Sequence, residues 1–230
     1  MSATTASPAI AVADPPAAMA TAPPAGSLGE VGAAAVPTAL SERLADATHP
    51  DTVRAFRLAR RRFLAGERID MGALAAELGV DRTSLYRWVG TRDTLLVEVL
   101  WSLAAPTMSH VERRLVGAGA ARIAAFLGDF VDALIEAPYF RDFLHGEPAR
   151  ALRLLTTREA PIQHRFIACV ESLVGRELDA GSYICALPRH DLAYLLVRIS
   201  ESFTYADLIA GERPDAARAR AAFAFVLGAP

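Results

Sequence analysis

The sequence predicts an all-α protein, a small helical head followed by a larger helical body. Three observations carry this. After Thr48 large apolar residues recur at three- and four-residue spacing to the end of the chain, and strand-like alternation is almost absent. Helix punctuation is explicit between 70 and 91, where Asp70, Asp81 and Thr91 stand as N-caps and Gly79 as a left-handed stop. Pro138, Pro148, Pro161, Pro188 and Pro214 each fall near the start of a periodic segment, where proline is tolerated.

Residues 1–46 are low-complexity Ala, Pro, Thr and Gly, with few large apolar groups to bury, and are expected to form a disordered tail with room for a short helix around Leu40–Leu44. A first helix is expected over 51–65, with Val53, Phe56, Ala59 and Phe63 on one stripe and Arg54, Arg57, Arg60, Arg61 and Arg62 on the other faces. A second follows Asp70 and turns Leu74, Ala75 and Leu78 inward; a third covers 82–89; a fourth starts after Thr91 and runs through Leu95, Leu96, Val99, Leu100 and Leu103. Further helices are expected over 119–136, 139–145, 148–156, 161–178, 189–210 and 215–227. This divides the chain into a tail (1–46), a head (47–105) and a body (106–230).

The 230 residues are 53% apolar, enough for a real core, and the net charge is only −2. All 24 basic residues are arginine, whose planar fork suits phosphate and guanine. Residues 52–100 carry nine arginines and six acidic groups, so a basic head sits on an acidic body. Cys169 and Cys185 belong to no metal-type spacing and read as small buried hydrophobes in a reduced compartment. No apolar run is long and clean enough to span a bilayer, and the proline-broken N-terminus lacks the early positive charge of a signal peptide. A cytoplasmic protein is expected, with no metal and no cofactor.

In the stretch Met71 to Val89, a helix ends at glycine, a tight turn follows, and a short capped helix begins. Ala75, Leu78, Val80 and Leu85 are spaced to bury the angle between the two helices, which is helix-turn-helix geometry with the second helix suited to the major groove. Its polar side shows Arg82, Thr83, Ser84 and Arg87 with the ring edges of Tyr86 and Trp88. Charge alone would favour an ordinary helical hairpin with a solvated charged face; the cap–glycine–cap arrangement and the polar short helix reverse that and favour DNA.

From Val53 to about Leu100 the chain resembles the TetR family of bacterial repressors, through the Leu-Gly-Val-Asp turn, the Ser-Leu-Tyr-Arg-Trp-Val helix and the following Thr-Arg-Asp-Thr-Leu-Leu. The resemblance implies that Tyr86 and Trp88 bind phosphate and that Arg92, beside Thr91, grips the backbone where many members carry lysine. Val89 stands where many members have phenylalanine, a core change. The family implies a homodimer, held through the last two helices, with a divergent ligand-binding domain. Residues 188–216, with the run Arg198 to Gly211 and then Pro214-Asp215, resemble the QsdR-like branch, repressors linked to lactone catabolism.

In the body, Phe126, Phe130, Phe140, Phe143 and Phe166 are candidate walls for a ligand pocket, although an aromatic stripe at helical spacing serves as plain core more often. On the 189–210 helix Arg198, Glu201, Ser202 and Tyr205 share one face opposite Leu192, Leu196, Ile199 and Phe203. They either anchor a ligand or form an internal Arg198–Glu201 pair that fixes packing, and the two readings stand level. His164 joins the candidate set against a plain core or surface position. Ala221, Ala222, Phe223, Phe225, Val226 and Leu227 make the terminal helix too apolar to face water, which points to a partner surface.

No GxSxG, phosphate loop, HExxH or metal-spaced Cys/His cluster is present, so an enzyme is not expected. The expected function is a ligand-responsive repressor that binds a pseudo-palindromic operator in double-stranded DNA and is released by a small, uncharged, partly apolar inducer, with a lactone as the candidate. The alternative is a DNA-binding regulator with no small ligand, whose C-terminal domain only dimerises or binds a protein.

Overall fold

The computed structural model describes residues 37–46, 49–157 and 161–229, and among them the chain forms twelve helices. They are α1 (Ala39–Ala45), α2 (Pro50–Leu64), α3 (Met71–Leu78), α4 (Arg82–Val89), α5 (Arg92–Arg114), α6 (Gly119–Glu136), α7 (Pro138–Gly146), α8 (Pro148–Thr156), α9 (Pro161–Asp179), α10 (Arg189–Thr204), α11 (Ala206–Ile209) and α12 (Ala216–Leu227). None among the described residues is long and apolar enough to cross a membrane.

The punctuation acts as the residue types dictate. Asp70 accepts from the Ala73 N–H at 2.8 Å, Asp81 from Ser84 at 2.8 Å and Thr91 from Thr94 at 3.1 Å. Each cap satisfies a donor left over at a helix start, worth about 1 kcal/mol. The same backbone bonds hold the Asp70 and Asp81 carboxyls below their usual range. Gly79 ends α3 at φ +71°, a conformation that a side chain resists.

The anticipated tail lies partly outside the described residues, at 1–36, and the short helix expected around Leu40–Leu44 is present as α1, Ala39–Ala45. Thr38 and Ser41 form a capping box, and Leu40 is buried against the head. The single helix expected over 189–210 breaks at Tyr205 (φ −109°, ψ 21°). The Ser200, Ser202 and Thr204 hydroxyls bond back to the carbonyls four residues earlier, and Arg141 Nη1 draws on the Thr204 carbonyl at 3.2 Å. On α2 the inward residues are Thr52, Ala55, Leu58, Ala59 and Phe63, which leaves Val53 and Phe56 at the margin of the stripe.

The buried apolar side chains fall into two clusters. One joins α1 to α4 and the first half of α5 with α7, α8 and Tyr205. The other joins the second half of α5 with α6, α9, α10 and α12. The head core is therefore continuous with α7 and α8. Against α6, α12 lies so close that a Cβ on Gly128 would meet Arg220 Cγ at 2.5 Å. There Phe223 and Leu227 point into the core, while Phe225 is 87% exposed.

Candidate nucleic-acid interface and sensor cavity

Leu74, Leu78, Leu85 and Val89 lock α3 and α4 into one core, with Val80 packed at its edge. That leaves Arg82, Thr83, Tyr86 and Arg87 exposed along one side of α4. Four side chains with ionic or hydrogen-bonding ends on a short rigid helix suit a DNA groove. Ser84 is half-buried, and its hydroxyl donates to Asp81 Oδ2 at 2.8 Å. Trp88 packs partly into the head core, so only part of its ring faces outward.

Arg92 sits differently from the expected backbone grip. Its Nε donates to the Ile69 carbonyl, and its two Nη atoms hold Glu147 as a fork, with Nη1 2.6 Å from Oε2. Only 14% of the side chain is exposed. The hydrogen bond from Arg92 holds the Glu147 carboxyl below its usual range. A grip on phosphate does not fit this placement.

Arg92 is instead one of several ties between head and body. Asp93, beside it, holds Arg150 and also Arg153, whose Nη2 is 2.6 Å away. Burial opposes ionisation of Asp93, but the two arginines outweigh it and lower its pKa. Phe63 packs its ring against Phe143 and Tyr139 of α7, with centroids 5.5 and 5.8 Å apart. Thus α7 and α8 grip the head by aromatic contact and by charge.

A second tie was missed at the sequence level. Arg43 of α1 donates to the carbonyls of Arg87 and Trp88, at 3.0 and 3.2 Å, and so caps the C-terminal end of α4. At the other end of α1, the Thr38 hydroxyl bonds Glu98. The Glu98 carboxylate also accepts from Arg165 Nη2 at 3.0 Å and Nη1 at 3.2 Å. Arg165 is 1% exposed, and its guanidinium lies 5.3 Å over the Trp101 ring. The sequence signal was a lone arginine and a lone glutamate on otherwise apolar helix faces.

Trp101 in turn lines a cavity between α5, α6, α7, α8, α9 and α10. The space within it that the centre of a water-sized molecule can occupy is about 60 Å³. Of the predicted walls, Phe130, Phe140 and Phe166 line it, with Glu201 and Tyr205 at its polar end. The other predicted residues do not line it. Phe126 is buried deeper in the body core, and Phe143 faces Phe63 of the head. His164, Arg198 and Ser202 lie on exposed sides of their helices, because the buried stripe of α10 runs through Leu192, Ala193, Leu196, Val197, Ser200, Glu201 and Thr204. The largest unanticipated contribution is α5 itself, through Leu100, Trp101, Leu103, Ala104, Thr107 and Met108. Those residues read as ordinary core of a long helix, and nothing in their spacing distinguishes a cavity wall.

Glu201 is 5% exposed, and burial pushes its carboxyl up to about 7 despite Arg198 and a hydrogen bond from Gln163. Arg198 Nη1 lies 2.5 Å from Oε2, yet off the direction of a hydrogen bond. Tyr205 is buried beside it, with its phenol pushed well up by burial and by Glu201. Among the described residues no group of three His, Cys, Asp or Glu side chains converges to hold a metal. Burial pushes the Cys169 thiol up to about 12, which keeps it protonated.

Comparisons with known proteins agree with this architecture. Residues 118–228 match a family described as tetracyclin repressor-like, C-terminal domain. Among solved structures, the transcriptional repressor QsdR of R. erythropolis, from the TetR family, is similar at 29% identity and a TM-score of 0.70. The match covers 79% of this chain and 96% of that one. No curated protein sequence matches.

Proposed function

We propose that this chain, whose residues 118–228 match a tetracyclin repressor-like C-terminal domain, is a TetR-type repressor which binds a pseudo-palindromic operator as a homodimer and releases it when a small, uncharged, partly apolar ligand fills the cavity. The observation that carries the reading is the direct path between the two sites. Tyr139, Phe140 and Leu155 line the cavity, and the helices that bear them, α7 and α8, hold the head through Phe63, Arg92 and Asp93. A ligand that spreads α7 from α5 must change the angle at which the head is held. It releases DNA if it prefers that altered state, and operator DNA must then weaken ligand binding by the same factor.

In this reading Arg82, Thr83 and Arg87 read bases, Tyr86 contacts phosphate, and Thr91 presents the N-terminus of α5 to the backbone. The homodimer forms through α10 and α12, whose outward Tyr194, Leu195, Phe225 and Val226 are exposed apolar groups on neighbouring helices. A lactone is the candidate inducer on the strength of the QsdR likeness. Selection of bound fragments from random duplex DNA, with sedimentation of the complex, tests the proposal. Two protomers on half-sites spaced by whole helical turns are expected; a monomer with no preference for palindromic DNA would refute it.

A further inference from the structure

The polar end of the cavity has more acceptors than donors. Gln163, which lies behind Glu201 and outside the cavity lining, is 6% exposed, and its Oε1 is buried without a partner. Glu201 Oε2 is buried and accepts no hydrogen bond. The Tyr205 hydroxyl makes no hydrogen bond to any described residue, so it has both a proton to give and lone pairs to fill. Around this end the walls are apolar: Leu100, Leu103, Phe130, Phe140, Ile162 and Phe166.

Buried acceptors without donors are costly, and a ligand that brings a donor relieves that cost on binding. Above about pH 7, where Glu201 is ionised, a ligand that brings only acceptors leaves Glu201 as it is and has Tyr205 alone to meet it. A carboxylate would stand against Glu201. An ammonium would gain little, because Arg198 already neutralises Glu201 and the cation would lose its water. Resting on the cavity reading above, we propose that the ligand is an uncharged molecule with an apolar body and a hydrogen-bond donor, a hydroxyl or amide N–H, placed at Glu201. A ring ester is compatible with this only if it carries such a donor.

Calorimetry at about pH 8.5, where Glu201 is ionised, with four eight-carbon probes tests this: octan-1-ol, octanamide, γ-octalactone and octanoate. The alcohol and the amide are expected to bind about tenfold more tightly than the lactone, which corresponds to about 1.4 kcal/mol. Octanoate is expected to be weakest. Glu201→Gln, which can turn an amide N–H into the cavity, should narrow or reverse the preference for octan-1-ol over γ-octalactone. Tyr205→Phe, with folding checked by thermal denaturation, should leave the donor preference in place while weakening octanamide, whose carbonyl loses its donor. A lactone or carboxylate that binds as tightly as the alcohol overturns the donor assignment and leaves the cavity reading standing. Failure of all four probes to bind overturns both.

Discussion

Replacing Glu201 with glutamine removes a buried carboxyl and keeps its size, and the effect on stability should depend on pH in a defined direction. Burial raises the native pKa from 4.5 to about 7, whereas the unfolded chain keeps the ordinary value. The folded protein therefore holds the proton more tightly than the unfolded one. Below pH 4.5 the carboxyl is neutral in both states and gives its full contribution to stability; as pH rises through about 7 that contribution is lost. At 1.36 kcal/mol per pH unit, the difference amounts to at most about 3 kcal/mol above neutrality. Glu201→Gln has no such loss. Its stability relative to wild type should rise by about 2–3 kcal/mol between about pH 5 and about pH 8.5. Urea denaturation followed by circular dichroism at both pH values measures this. The comparison cancels every other titrating group, because each occurs in both proteins. Parallel stability curves would show that water or a rearranged Arg198 solvates Glu201, and the polar end of the cavity would then be wet rather than buried.

Arg165→Met leaves Glu98 buried without its cation and should cost about 3–5 kcal/mol in denaturant titration, most of it recovered in the double variant with Glu98→Leu; a loss below about 1 kcal/mol would mean that the pair is solvated. Tyr86→Ala should weaken binding to all duplexes alike, on the order of tenfold, since a phosphate contact carries no sequence information; fluorescence anisotropy on matched and scrambled sites would refute this if only the matched site weakened. Glu147→Gln loosens the fork on Arg92, frees its charge for the nearby backbone, and should steepen the salt dependence of DNA binding by about one counterion. An unchanged slope would confine Arg92 to joining head and body.

Much of the head was legible because its signals are local. Asp70, Gly79, Asp81 and Thr91 act within four residues of themselves, so residue type nearly decides structure there, and the limits of α3 and α4 and the start of α5 follow. The prolines likewise marked α7, α8 and α9. What escaped was set by partners far along the chain. The short helix around Leu40–Leu44 was legible but its anchoring was not, since Thr38 at its start is held by Glu98, sixty residues away. The break at Tyr205 depends on Arg141 reaching the Thr204 carbonyl from α7. For the candidate cavity, periodicity found Phe130, Phe140, Phe166, Glu201 and Tyr205 but assigned Arg198 and Ser202 to the same face, because a three- or four-residue spacing cannot tell the centre of a buried stripe from its edge. The arginine predicted at the DNA backbone was drawn inward by Glu147, a partner fifty-five residues away.

In the proposed function the state of the cavity sets the affinity of the head for DNA. Ala104 lines the cavity from α5 and is itself only partly buried. Ala104→Phe fills part of the space with a ring and so mimics a bound ligand without requiring its identity. The decisive measurement is the affinity of this variant for the selected operator, by anisotropy, with native folding verified by its melting transition. A loss of about tenfold or more is expected, which corresponds to a coupling of about 1.4 kcal/mol. A folded variant with its cavity filled and its operator affinity unchanged would contradict it.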